Sequence, residues 1–318
     1  MKEGLSTVPR HSKPCQTLEL STFCNLPPAE VMPLLDNPTY WVDWLTGEVG
    51  HSSDDFFVLT GPSTVAGWNG AKLLVKKAVP HSSSAHKWHW RFDTPEQGVI
   101  TAKLKLSAVE NGLNSNVQLS FRLPPSLQGW YLMEDWSIAL NNLKYMVEEG
   151  KPGPRLNYES RESPKIHLEL TVGRDPSRIY SLLTHKEHMQ YLFTKYFEVN
   201  VQRHIYSYGW MGDGPSHLVR FRKDQLIQHD WWEETYPMGT VKWLMARGRS
   251  VGTTELSLLH IDLDLAREVE PDKTYVAYRH GWIAYLQKLK NYAENGYQTT
   301  QGVVRDQRRS LEPKTAHN

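Results

Sequence analysis

Cysteine is nearly absent from this chain, with two residues, Cys15 and Cys24, among 318. Two thiols cannot supply a disulfide framework, so burial has to hold the fold, and a reducing, cytoplasmic setting is the default expectation. An excess of charge of one sign is lacking too. Lys and Arg number 36 against 35 Asp and Glu, a net charge of +1. No basic surface of the kind a nucleic-acid partner requires follows from that balance. No apolar run approaches the roughly 18 residues of a membrane span. The opening residues, MKEGLSTVPRHSKPCQ, hold no apolar stretch of a signal peptide. Catalytic signatures are also missing: there is no G-x-S-x-G, no P-loop and no H-E-x-x-H. Aromatics, by contrast, are plentiful, with 12 Trp and 15 Tyr. A large aromatic core accounts for most of them, and aromatic-lined cavities could account for the rest.

The length predicts about two domains, and an internal repeat shows where they lie. DWSIALNNLKYMVEEG (135–150) and GWIAYLQKLKNYAENG (281–296) share one plan. Trp136 falls on Trp282, Leu140 on Leu286, Leu143 on Leu289, Lys144 on Lys290 and Glu148 on Glu294. The apolar positions form one helical stripe, and Gly150 and Gly296 stand where a C-terminal cap belongs. Upstream, LELSTFCNLPPAEVMPLL (18–35) aligns with LELTVGRDPSRIYSLL (168–183). In each, a strand leads to a proline in a first helical turn, Pro28 or Pro176. Val31, Leu34 and Leu35 match Ile179, Leu182 and Leu183 as the buried stripe. Two matches in the same order point to duplication. Between them, TAKLKLSAV, NVQLSFRL, HLVRFR and TELSLLHIDL alternate with period two, the mark of antiparallel strands with one buried face. The expected division is an N-terminal extension at 1–15, a first domain at 16–150, a linker at 151–164, a second domain at 165–296 and a polar, solvated tail at 297–318.

These features resemble the SRPBCC (START-like, helix-grip) superfamily. The GW…L..LK….E.G helix, the GTTELSLLHIDL strand, PSRIYSLLTHKEHMQYLF and RFRKDQLIQHDWWEE are most similar to the branch that includes the C-terminal domain of the activator of Hsp90 ATPase. The resemblance covers about 165–296 well and about 16–150 more weakly, without a GGT turn before the last strand of the first copy. It implies an α+β fold of two tandem helix-grip domains, each a curved antiparallel sheet wrapped around a long C-terminal helix. It also implies a deep cavity between sheet and helix. It says little about chemistry, because members bind lipids and hormones, cyclise polyketides, hydrolyse, sequester or assist chaperones.

Candidate site residues come from the strands that would face such a cavity. Strict alternation carries His260 and Asp262 along the same face as Thr254, Leu256 and Leu258. An inward His with an Asp two residues on is a proton-transfer pair, unless the strand ends near Leu259 and both meet water. KWHWRF puts Trp88 and Trp90 on one face, as core or as cavity lining, and HDWWEE poses the same choice for Trp231 and Trp232. Trp243, Tyr278 and Trp282 are further lining candidates, the last two near the start of the final helix, where the resemblance implies the entrance. Arg220 would hold a substrate carboxylate or enolate if inward, and an ion pair if outward. His185 and His188 could share a helix face, but no third ligand has diagnostic spacing, and neither a metal nor a cofactor is required. GDGPSH (212–217) reads as a hairpin turn.

Three functions are open on this reading. One is binding of a hydrophobic or aromatic small molecule, foremost in the second domain. Another is cofactor-independent cyclisation, dehydration or hydrolysis of a polyketide-like or aromatic substrate, with His260 as acid/base and Asp262 orienting it. The last is a chaperone-regulating interaction module. The two domains are expected to pack on each other.

Overall fold

The structure is a computed structural model that describes residues 16–53, 56–61, 72–76, 85–94, 98–123, 129–158, 165–193, 196–209, 217–233, 236–296 and 300–306. Its first domain runs β1 (Gln16–Cys24), α1 (Pro28–Asp36), a short 3-10 turn, α2 (Trp41–Trp44), β2 (Glu48–Ser53), β3 (Phe56–Thr60), β4 (Lys72–Lys76), β5 (Ala85–Thr94), β6 (Gly98–Val109), β7 (Asn114–Leu123) and α3 (Gly129–Glu149). Its second repeats that order: β8 (Ile166–Val172), α4 (Pro176–Thr184), α5 (Lys186–Leu192), β9 (Tyr196–Asn200), β10 (Ile205–Gly209), β11 (Leu218–Arg222), β12 (Leu226–Glu233), β13 (Tyr236–Arg247), β14 (Thr254–Ile261) and α6 (Pro271–Asn295). A last strand, β15 (Thr300–Asp306), follows α6. The sheets are antiparallel, in the orders β15-β1-β7-β6-β5-β4-β3-β2 and β11-β12-β13-β14-β8, with β9 and β10 pairing as a separate ribbon. Each long helix closes at a left-handed glycine, Gly150 or Gly296. The tandem sheet-and-helix arrangement expected of a helix-grip duplication is present.

Local sequence explains the elements. Alternation in β7 buries Val117, Leu119, Phe121 and Leu123, and in β14 it buries Thr254, Leu256, Leu258 and His260. Each long helix turns its tryptophan, Trp136 or Trp282, into its own domain. Pro28 and Pro176 occupy the first helical turn, where a missing N–H costs nothing.

The duplication extends to individual hydrogen bonds. Glu148 accepts from the Asn25 amide at 2.7 Å and pairs with Lys144; Glu294 accepts from the Gly173 amide at 2.6 Å and pairs with Lys290. Ser115 Oγ donates to the Leu26 carbonyl at 2.7 Å, and Thr254 Oγ1 donates to the Arg174 carbonyl at 2.6 Å. In both copies these bonds tie the first strand–helix loop to the last strand and to the end of the long helix.

The domains meet along α3 and α6. Equivalent positions of the repeat touch one another across this seam: Asn141 donates to Gln287 at 3.0 Å, and Tyr145 donates to Asn291 at 3.2 Å. Self-matching contacts of this kind are what a two-fold interface produces. The described part of the linker lies in the seam. Gly153 N donates to Asn142 Oδ1 at 3.0 Å, Leu156 is buried, and Tyr158 donates to Asp135.

The expectation of a solvated tail needs correction, because residues 300–306 return to the first domain as an edge strand. Thr300 Oγ1 bonds Thr22 Oγ1 at 2.8 Å and Asn141 Oδ1 at 2.6 Å. Gly302 lies opposite Leu20, and a Cβ there would come within 2.7 Å of Leu20 Cδ2 and 2.8 Å of Met133 Sδ. The tail has no apolar periodicity to read because backbone pairing and one close approach hold it.

Candidate functional site

The interior of the second domain lies between the concave face of β12–β14 and α6. The face of β12 carries Ile227, His229 and Trp231 inward. β13 adds Met238, Val241 and Trp243, and β14 adds His260. Trp282 of α6 completes the group, with its ring 4.9 Å from Trp231 and 5.9 Å from Trp243. Tyr206 and Tyr208 of β10 enclose His229 at 5.2 and 5.6 Å.

Hydrogen bonds order these rings. Trp282 Nε1 donates to His260 Nδ1 at 3.1 Å, which leaves His260 Nε2–H to donate to the Met238 carbonyl at 3.0 Å. Trp243 Nε1 donates to His229 Nε2 at 3.3 Å, the Tyr208 hydroxyl lies 3.3 Å from the same nitrogen, and Nδ1–H faces the Asp230 carbonyl at 3.1 Å. These partners assign each imidazole one tautomer. Burial disfavours their charged forms, and His260 is lowered to about 3 and His229 to about 4. The same desolvation raises the Tyr206, Tyr208 and Tyr285 hydroxyls. The interior is therefore polar in its atoms and uncharged at neutral pH.

One line of groups leads outward. Trp231 Nε1 donates to the Tyr278 hydroxyl at 3.3 Å, and Tyr278 donates to Glu233 Oε2 at 3.0 Å. The Tyr278 ring stands perpendicular to His260 at 5.5 Å. A backbone irregularity makes room for this. β12 shifts register between Trp231 and Trp232, and Gly239 opposite has φ 111°. A Cβ on Gly239 would sit 2.3 Å from the Ile261 carbonyl oxygen, so only glycine lets β13 approach β14 there.

Of the sequence candidates, His260, Trp231, Trp243, Tyr278 and Trp282 come together here. Two others do not. Asp262 follows the end of β14, is exposed, and has a left-handed φ of 56°. Alternation stops with the strand, so Asp262 does not share the inward face with His260. Arg220 is exposed on β11, because Phe221, packed at 5.3 Å on Tyr180, takes the buried side. Trp88 and Trp90 are both buried, but in the first domain. Trp88 Nε1 donates to Asp36 Oδ1 at 3.0 Å, and Trp90 stacks on Trp136 at 5.4 Å. His185 caps α5 and His188 lies within it, their rings 6.2 Å apart. The GDGPSH turn lies outside the described residues except for His217. His229, Tyr208 and Glu233 were not singled out from the sequence. The period-two pattern in LIQHDWWE places His229 on Trp231's face and was the available signal.

The first domain carries a different set at the matching places. By strand register Trp90 on β5 corresponds to His229 on β12, and in the repeat Trp136 corresponds to Trp282. Phe121, 5.2 Å from Trp136, occupies the place of His260.

No family model matches the chain, and no curated protein matches it. Among solved structures, it is similar to the Aha1 dimer from Colwellia psychrerythraea, at 13% identity over 42% of this chain and 98% of that one, with a TM-score of 0.35. It is also similar to DynU16, described as a putative protein in the dynemicin biosynthetic locus, at 13% identity over 89% and 99%, with a TM-score of 0.33. A third is the di-domain ARO/CYC StfQ from the steffimycin biosynthetic pathway, at 10% identity over 86% and 97%, with a TM-score of 0.32. No helix among the described residues is long and apolar enough to cross a membrane.

Proposed function

We propose that this protein binds an apolar or aromatic small molecule in its second domain, between the sheet and α6. Trp231, Trp243 and Trp282 supply the aromatic walls, and Tyr278 with Glu233 the polar end. The observation that carries this reading is the pair of histidines held neutral inside an aromatic interior. A core needs no such groups: the first domain closes around Phe121 instead. Burying an imidazole costs free energy unless its nitrogens are bonded; here both rings are bonded, which holds them and the tryptophans that bond them in one orientation as a preformed wall. Binding sites of this class combine apolar walls with a few placed polar groups.

A second reading, cofactor-independent turnover of a polyketide-like or aromatic substrate, draws on the Tyr278–Glu233 pair, a hydroxyl and a carboxylate between which a proton can pass. His/Asp acid–base chemistry has less support, since Asp262 lies elsewhere and both His260 nitrogens are engaged.

The test is a thermal-shift screen of wild type, Trp231→Phe and Tyr278→Phe against fused-ring aromatic compounds, with mass spectrometry on every hit. A ligand of the folded state raises the melting temperature by mass action. Stabilisation that is reduced in both variants, with the compound recovered unchanged, supports binding. Product formation that Tyr278→Phe abolishes supports the second reading. Hits that both variants bind as tightly as wild type would sink the second-domain site.

A further inference from the structure

The outer faces of the two sheets differ in charge. In the first domain, β5 and β6 turn Trp88, Trp90 and Leu104 inward. Alternation then sends Lys87, His89, Arg91, Lys103 and Lys105 to the opposite, exposed face, where Arg122 of β7 joins them. Register sets these side chains beside one another. Lys87 lies opposite Lys105 and His89 opposite Lys103, while Thr101 separates Arg91 from Arg122. Among the described outward side chains of β5, β6 and β7, none is acidic; Glu19 on β1 stands at the margin, opposite Ser120. Lys87, Lys103, Lys105 and Arg122 form no ion pair among the described residues.

The fold does not ask for this concentration of cations. Like charges directly opposite each other across a strand pair destabilise a sheet. The duplicate does without them. By strand register Lys87 matches Leu226, His89 matches Gln228, Arg91 matches Asp230, Lys105 matches Leu244 and Arg122 matches Ile261. Lys103 alone keeps a cation at its match, Lys242. Composition does not explain the cluster either, because the whole chain carries a net charge of +1.

We infer that this face docks a partner protein through an acidic stripe, such as a helix with Asp or Glu along one side. Opposed side chains on a sheet stand about 5 Å apart and alternate ones along a strand about 7 Å. Carboxylates at i and i+4 of a helix, about 5–6 Å apart, fit that lattice. Other polyanions need features that this face does not offer. Single-stranded nucleic acid stacks its bases on aromatic side chains, a duplex is read by a helix or ribbon that enters its groove, and membrane-surface elements add apolar residues. The side chains between the cations, Thr101, Gln118 and Ser120, are polar and uncharged.

The test is fluorescence anisotropy of the full chain with a labelled helical peptide that repeats Glu at i, i+4 and i+7, and with its Glu→Gln version. The Glu peptide alone should bind, and more weakly as salt rises. Lys103→Glu combined with Lys105→Glu should lower affinity about tenfold. Lys242→Glu, at the matching place in the second domain, should leave it unchanged. Lys105→Glu also turns the like-charge pair with Lys87 into an opposite-charge pair, so its melting temperature should hold or rise, which separates lost docking from lost folding. Failure of the Glu peptide to bind, equal binding of both peptides, or a loss as large for Lys242→Glu overturns the proposal. So does tighter binding of a DNA duplex or of phosphatidylserine vesicles than of the Glu peptide. These residues lie outside the second-domain interior, so either result leaves the small-molecule reading to its own test.

Discussion

The two domains share a fold down to single hydrogen bonds at their rims, yet their interiors differ. At the rim, Glu148 and Glu294, Lys144 and Lys290, and Ser115 and Thr254 do the same work. Inside, Phe121 faces Trp136 where His260 faces Trp282. Trp231 has Tyr278 as its acceptor, whereas Trp90, at the register position of His229, has none among the described residues. Contacts that close the loop onto the helix are required of any copy that folds. The interior positions tolerate change wherever the replacement fills the space, so they are where two copies can come to recognise different things.

The harshest way to separate the copies is Gly239→Ala. The added methyl meets the Ile261 carbonyl at 2.3 Å on a backbone with φ 111°. A loss of about 3–5 kcal/mol is expected, because backbone strain and a backbone clash add. Urea unfolding followed by domain-resolved hydrogen exchange should show the loss first in the second domain, and equal loss in both would mean that the domains unfold as one unit.

Next in size is His260→Phe, which writes the first domain's residue into the second. It leaves the Trp282 N–H and the Met238 carbonyl without their partner, at an expected cost of about 2–4 kcal/mol. The same residue sets a pH dependence. The folded-state pKa of His260 is about 3 and that of His229 about 4, both below the unfolded value of about 6.5. The unfolded chain therefore takes up protons first as pH falls. The contribution of each imidazole is fully present above about pH 6.5 and is lost towards its folded-state pKa, at about 1.4 kcal/mol per pH unit. His260→Phe should flatten that slope between about pH 6 and 4, as read by denaturation at each pH. An unchanged slope would mean that His260 is not the group that titrates.

Tyr278→Phe is milder, at about 1–2 kcal/mol. It leaves Trp231 in the state of Trp90, and the indole N–H resonances of the two tryptophans should then behave alike. Gly302→Ala is the smallest, at about 1 kcal/mol. Leu20 and Met133 can shift away from a methyl because both contacts are side-chain ends. It should raise hydrogen exchange in β15 and leave the second domain untouched.

Much of the fold could be read from the chain. The matched helices, the prolines at helix starts and the alternating strands were all legible, because each depends on neighbours within a few residues. His260 was legible as an inward group for the same reason. Asp262 was misread because alternation holds only while the strand lasts, and a left-handed residue ends it. Arg220 could be read as facing inward or outward, and the structure exposes it while Phe221 packs on Tyr180. His229 lay in a readable pattern and was eclipsed by the tryptophans beside it.

The residues alone settled that there are two copies and which side chains share a face within each strand, since period and duplication are local properties of a chain. Contacts between distant segments decided the rest: that α3 lies on α6, that residues 300–306 return to β1, and that Trp231 meets the hydroxyl of Tyr278. Such pairings join groups far apart in sequence, and no local periodicity encodes which of them will touch.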